Sequence, residues 1–347
     1  MNLDTFTKMI FMKRRIKSVF VILFFISFLS FGQTKNDSIS KLMKLVQPKY
    51  LEAGDSIAIV ASAGILIQRE EIIDKAKELA ESWGLKVFIG DHVFNQNNHF
   101  AGTDEERASD FQKALDNPNI KAIWCARGGY GSARILDKLV YDQFKVAPKW
   151  IIGYSDITAF HSHIHNLGIQ TLHAMMGTSL LFDSEKTTES IETFRKALFG
   201  EALMYNINSS KYNKEGVTEG LLVGGNLSIL QSMLGSQSQL NTDGNILFIE
   251  EIGEYKYHID RMLRSLKRAG YFNNCKGLIV GDISNIKKNT TAWGSSVEQL
   301  ILDVVEEFDF PVLFDFPAGH ETDNRALVFG KTIKMNIKPT TSEIIFK

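Results

Sequence analysis

The sequence predicts an α/β protein with mainly parallel sheet. From Gly54 onward, short apolar runs alternate with longer amphipathic ones. Several of the short runs, such as SIAIVAS (56–62) and KWIIGY (149–154), are almost continuously apolar, as strands covered on both faces are. A length of 347 residues, at roughly 150 residues per domain, suggests about two domains. The balance of 39 Lys+Arg against 40 Asp+Glu gives a net charge of −1, without the basic excess of a nucleic-acid binder. With 44% hydrophobic and 23% charged residues the chain is an ordinary folded one, and its two cysteines, Cys125 and Cys275, cannot form a disulfide scaffold and read as buried thiols.

The elements follow in order. SIAIVAS is a strand, Arg69–Trp83 an amphipathic helix and LKVFIG (85–90) a strand. Thr103 and Glu106 form a capping box that starts a helix running to about Leu115. IKAIWC (120–125) is a strand that enters the loop RGGYG (127–131) and a helix to Leu139; KWIIGY then leads into a helix over Asp156–Asn166. Residues 184–216 are polar and read as a helix plus a connector. VTEGLLVGG (217–225) is a strand, and Asn226 caps the helix LSILQSML. NILFIEE (245–251), GLIVGDIS (277–284) and PVLFDFPAGH (311–320) are strands, with helices over Tyr257–Ala269 and Val297–Glu307 between them. The runs ALVFG, TIKMNI and EIIF alternate like antiparallel strands.

The N-terminus stands apart from this pattern. Lys13, Arg14, Arg15 and Lys17 precede an apolar run from Val19 to Phe31, which falls short of the ~20 residues of a membrane span. It fits a secretory signal peptide over residues 1–32, with Ser30 and Gly32 as the small residues before a cleavage ahead of Gln33. An uncleaved anchor is the alternative, and translation from Met12 would give a more usual signal length. The expected organisation is a signal peptide (1–32), a tether (33–50), an α/β domain (51–183), an inter-domain segment (184–216) and a second domain (217–347). The expected location is the periplasm, with no stable membrane insertion once the signal is removed.

In open α/β sheets the reacting groups lie beyond the carboxyl ends of strands. After KWIIGY comes Ser155, after ILFI comes Glu250, and after PVLFDFPAG comes His320. A serine hydroxyl needs an imidazole to take its proton, and the imidazole needs a carboxylate to fix its tautomer and stabilise the imidazolium. Taken singly, Ser155 also reads as a helix N-cap, Glu250 as an ion-pair carboxylate and His320 as a loop histidine. GYSD departs from the G-x-S-x-G elbow, because Ile157 stands at the second glycine position. Backbone N–H groups after Ser155, and Gly129 of the RGGYG loop, are candidate oxyanion donors; a tight strand-to-helix turn is the other reading of that loop. Arg127 is a candidate partner for a substrate carboxylate, against a structural ion pair, and Tyr130 is a further candidate substrate contact. His173 ends the run IQTLH and either lines the same cleft or caps the sheet. His161 and His165 share a helical face, but there is no HExxH and no acidic ligand at the usual spacing, so no metal is expected. No GxGxxG or GxxxxGK[ST] supports a nucleotide-phosphate site.

Seven stretches together resemble the LD-carboxypeptidases, a family that includes the muramoyltetrapeptide carboxypeptidases and the microcin C immunity peptidases. They are GDSIAIVASAG, AGTDEERASDFQKAL, IKAIWCARGGYGSARIL, IIGYSDITAFH, EGLLVGGNLSIL, ILFIEEIGEYKYHIDRMLRSL and FPAGHETDNRALVFGK, in the family's order from about Gly54 to Gly330. The resemblance implies a nucleophile at Ser155, an orienting acid at Glu250 with Glu251 beside it, and a base at His320. It also implies oxyanion donors at the backbone of Gly129 and Asp156. For the fold it implies a flavodoxin-like or class I glutamine-amidotransferase-like α/β domain followed by a smaller α/β domain with a β-rich portion, commonly as a homodimer. No metal or organic cofactor is implied. One departure is His173-Ala174-Met175, where family members often show His-[AG]-Pro.

The activity implied is serine-type removal of a C-terminal D-alanine from a peptidoglycan tetrapeptide, at the bond from the L-centre of a diamino acid. Two alternatives stand beside it. One is an immunity-type amidase acting on a peptide–nucleotide antibiotic, which a stacking aromatic in the pocket would favour. The other is a periplasmic ligand-binding protein in which Ser155 only hydrogen-bonds a ligand.

Overall fold

The computed structural model describes residues 45–66, 68–181 and 185–347. The expected signal peptide, its cleavage point and most of the tether lie outside the described residues. The strands are β1 (Ser56–Val60), β2 (Lys86–Ile89), β3 (Ile120–Cys125), β4 (Trp150–Gly153), β5 (Thr171–His173), β6 (Met204–Asn208), β7 (Gly216–Asn226), β8 (Ile246–Ile252), β9 (Gly277–Ser284), β10 (Val312–Leu313), β11 (Leu327–Phe329), β12 (Thr332–Ile337) and β13 (Thr341–Phe346).

They form two sheets of a mixed α/β fold, ordered β11-β5-β4-β3-β1-β2 and β10-β9-β8-β7-β12-β13-β6. In the first sheet β1 to β5 pair in parallel and β11 is antiparallel to β5. In the second, β7 to β10 are parallel, and β12, β13 and β6 add an antiparallel wing. The apolar runs are buried on both faces, as β1 and β4 are throughout, whereas β6 alternates exposed and buried residues because one face of the wing meets water. One apolar cluster joins the sheets, from Ile57, Trp124 and Trp150 to Phe248, Ile279 and Met335. The opposite face of the first sheet packs on Phe111 and Phe160, and that of the second on Leu263 and Ile301.

Local signals place several elements where the sequence expects them. Thr103 Oγ1 accepts from Glu106 N at 3.1 Å and Glu106 Oε2 from Thr103 N at 2.7 Å, opening a helix over Asp104–Asp116. Asn226 caps Leu227–Ser232 by accepting from the Ile229 N–H.

Three placements differ from expectation. The run ALVFG supplies β11, which crosses to the first sheet and covers the edge of the three-residue β5, so a boundary at 217 does not separate the sheets. The segment 184–216 holds the helix Glu185–Phe199 and also β6, an edge strand whose two asparagines hide it from propensity. The run 311–320 is a strand only at Val312–Leu313; Pro317 cannot donate to a ladder, and the chain continues as a loop to His320.

Candidate active site

β4 ends at Gly153, whose φ is +155°. A Cβ there would lie 2.7 Å from the Ile157 side chain, so glycine lets the chain fold back at once into the 3-10 turn Ser155–Ile157. The sharp turn that a G-x-S-x-G elbow makes with its second glycine is made here with Ile157 packed against Gly153. Ser155 sits at the apex with φ +59°, a left-handed conformation that costs a non-glycine residue on the order of 1–3 kcal/mol and concentrates at functional sites. No side-chain capping bond opens that turn; the Ser155 hydroxyl faces His320 instead, which removes the N-cap alternative.

His320 closes the loop after β10. Asp282 of β9 accepts the N–H of Glu321 at 3.0 Å, and Asn324 Oδ1 accepts that of Gly319 at 3.1 Å, so the imidazole is held from both sides. Its Nε2 lies 3.0 Å from Ser155 Oγ and its Nδ1 2.7 Å from Glu250 Oε2. Glu250 is fully buried. It lies inside β8 rather than at its exit, opposite Asn226 of β7, where the register with β9 shifts between Ile249 and Glu251. Such a bulge re-aims side chains. Glu250 turns to His320 while Glu251 takes the N–H groups of Ser228 (2.8 Å) and Ile252 (2.9 Å).

Burial is the strongest influence on His320 and opposes its charged form. The charge of Glu250, its hydrogen bond, and then Glu251 and Asp282 outweigh it, so the His320 pKa is raised above the usual 6.5. Burial raises the Asp282 carboxyl to about 6.

The RGGYG loop lies against the serine: a Cβ on Gly128 would be 3.2 Å from Ser155 Cβ. Gly129 has φ +102°, and neither its N–H nor that of Asp156 donates to another described residue. The loop is fixed at its far end. Asp156 Oδ2 accepts the N–H of Ser132 at 2.8 Å, and the buried Arg107 donates to the carbonyls of Ser62 (2.6 Å) and Gly131 (3.0 Å). The serine's neighbour therefore orders the loop through its side chain, a role the sequence did not reveal.

The remaining expected site residues fall elsewhere. Arg127 donates to the Ile65 carbonyl, tying RGGYG to the Gly64 turn; burial, then the nearby Arg69, holds its pKa below the usual arginine value. Tyr130 is 51% exposed, beside Phe100, and is not on the cavity wall next to His320. His173 is fully buried, bonded through Nε2 to Asn324 at 3.2 Å and packed on Phe248 and Phe329; it caps the sheet behind the site, and burial lowers its pKa to about 3. His161 has both ring nitrogens engaged, with Thr171 (2.8 Å) and the Gly153 carbonyl (2.9 Å), while His165 is separately buried. Cys125 is a buried thiol pushed up to about 12 by desolvation, and Cys275 is buried as well.

A cavity of about 360 Å³ opens beside His320, with Arg69, Tyr154, Met175, Ser179 and Asn324 on its wall. Met175, the departure noted in the sequence, thus faces this space. A second cavity of about 450 Å³ lies beyond Glu321 and is acidic, lined by Asp282, Glu298, Asp315 and Asp323.

A serine, imidazole and buried carboxylate in hydrogen-bonded series, beside unengaged backbone donors and a cavity, define a hydrolase that can work by base-assisted nucleophilic attack. Residues 57–174 match the family profile described as LD-carboxypeptidase N-terminal domain, and residues 219–335 that described as LD-carboxypeptidase C-terminal domain. The "Probable murein peptide carboxypeptidase" of Bacillus subtilis (strain 168) is 33% identical over 309 residues, covering 86% of this chain and 94% of the relative. The crystal structure of muramoyltetrapeptide carboxypeptidase from Oxalobacter formigenes is similar with a TM-score of 0.76 at 26% identity, over 84% of this chain and 98% of that one. MccF in complex with glutamyl sulfamoyl guanosine shares the fold, with a TM-score of 0.77 at 23% identity over 88% of this chain and 99% of that one. The chain belongs to the LD-carboxypeptidase family and is a serine carboxypeptidase.

Proposed function

We propose that the protein removes the C-terminal D-alanine from peptidoglycan tetrapeptide stems, cutting the bond between the L-centre of a diamino acid and the D-residue. The observation that carries this reading is the unbroken series Ser155 Oγ–His320 Nε2 at 3.0 Å and His320 Nδ1–Glu250 Oε2 at 2.7 Å. The names of the Bacillus and Oxalobacter relatives supply the substrate class.

In the mechanism the Nδ1–H of His320 donates to Glu250, which leaves the Nε2 lone pair for the Ser155 proton. Ser155 Oγ attacks the scissile carbonyl carbon, and the oxyanion is held by the N–H groups of Gly129 and Asp156. Glu250 stabilises the imidazolium. His320 then gives its proton to the departing amine, D-alanine leaves, and the stem remains as an ester on Ser155. Water, activated by His320, hydrolyses that ester and releases the tripeptide carboxylate.

The immunity-amidase alternative gains nothing specific here. Tyr154 is the one aromatic among the described residues of the cavity wall besides His320, and its ring already packs edge-on against His320 at 5.0 Å. The test is a substrate pair: a muropeptide tetrapeptide and its all-L counterpart, with free alanine followed by mass spectrometry. Release from the first alone is expected; equal release from both, or release from neither, overturns the proposal.

A further inference from the structure

An exopeptidase must read the free carboxylate next to the bond it cuts, and Arg127 is not placed to do so. One of its guanidinium nitrogens donates to the Ile65 carbonyl, and Arg127 is not among the residues on the wall of the cavity beside His320. The wall of the cavity beside His320 carries a different cation. Arg69 stands at the start of the helix Glu70–Ser82; its backbone bonds Leu66, but its guanidinium makes no hydrogen bond or ion pair with the described residues. An arginine fork with its donors unsatisfied, on the wall of a reaction cavity, matches a carboxylate bidentately.

Two further observations point the same way. Asn324, on the same wall and only 3% exposed, has a side-chain amide nitrogen with no hydrogen-bond partner, a second unsatisfied donor at this wall. The other cavity beside the imidazole loop carries Asp282, Glu298, Asp315 and Asp323, whose charge would repel a carboxylate. Glu321 lies on the rim of both. The carboxylate of the leaving residue therefore belongs on the Arg69 side.

We propose that Arg69, and not Arg127, binds the C-terminal carboxylate of the substrate and makes the enzyme an exopeptidase. The inference rests on the LD-carboxypeptidase reading of the site.

The test compares a tetrapeptide with a free C-terminus and the same peptide as its C-terminal amide, in wild-type, Arg69→Met and Arg127→Met proteins. A hydrogen-bonded charge pair is worth about 10- to 100-fold. Arg69→Met is expected to lower kcat/KM for the free acid by about that factor, mainly through KM, and to lower it much less for the amide, so that the preference for the acid is lost. Arg127→Met, which loosens the loop, is expected to affect both peptides alike and preserve their ratio. An Arg69→Met enzyme that keeps the wild-type preference for the acid overturns the inference. Calorimetric binding of the same peptides to Ser155→Ala protein, with and without Arg69→Met, reads carboxylate recognition without turnover. Absent hydrolysis with a preference for the acid that vanishes in Arg69→Met would sink the catalytic reading and leave the Arg69 assignment standing; equal binding of acid and amide would overturn that assignment.

Discussion

In the proposed mechanism His320 must be neutral to accept the Ser155 proton and charged an instant later. Its surroundings serve the second need: carboxylates outweigh burial and hold its pKa above 6.5. Because only the neutral ring is a base, kcat/KM should fall on the acid side with a midpoint above 6.5, and activity should be full only at higher pH. Glu250→Gln removes the strongest attraction and leaves burial in place. Its acid limb should move to lower pH, and kcat should fall by about 10²- to 10⁴-fold because the imidazolium and its tautomer lose their support. A pH–rate profile of both proteins checks this, and an unmoved midpoint would mean that Glu250 does not govern the base. The left-handed φ of Ser155 belongs to the same scale, as strain retained where a hydroxyl has to stand clear of its strand.

At the scale of elements, the site depends on where the helix after Ser155 meets the end of β7. Thr158 Oγ1 accepts the N–H of Asn226 at 2.9 Å, and Gly225, with φ +142°, lets the two segments approach. A Cβ at Gly225 would fall 2.4 Å from Thr158 Oγ1. Gly225→Ala should therefore cost about 1–3 kcal/mol of stability and lower the Tm by a few degrees, with a loss of kcat as Ser155 shifts from His320. Thermal unfolding and turnover measure both, and an unchanged Tm would show that the contact is slack. The parallel strands and capped helices were legible because continuous apolar runs and the Thr103–Glu106 box are local signals. Reading strand exits brought Ser155, Glu250 and His320 into one hypothesis, although only Ser155 stands just past its strand. The crossing of β11, the bulge that turns Glu250, and the engagement of Arg127 were not legible. Each is settled by a partner far along the chain, as when Arg127 meets Ile65 or His173 meets Asn324, and no spacing encodes such a meeting.

In the whole molecule, the proposed nucleophile comes from one sheet and the proposed acid and base from the other. The apolar cluster shared by the sheets supports that arrangement: Trp124 and Trp150 of the first sheet belong to the same core as Phe248 of the second. Only Ser155 stands just past its strand; Glu250 is turned out of β8 at the bulge and His320 lies in the loop after β10, and the shared core lets the three converge. The proposed mechanism accordingly rests on one bond-making atom, Ser155 Oγ. The most direct measurement is the rate of D-alanine release from a muropeptide tetrapeptide by wild-type and Ser155→Ala proteins of equal Tm. The expected result is steady release by the wild type and at least a ~10³-fold lower kcat for the variant. A variant that releases D-alanine at the wild-type rate would contradict the assignment of Ser155 as nucleophile.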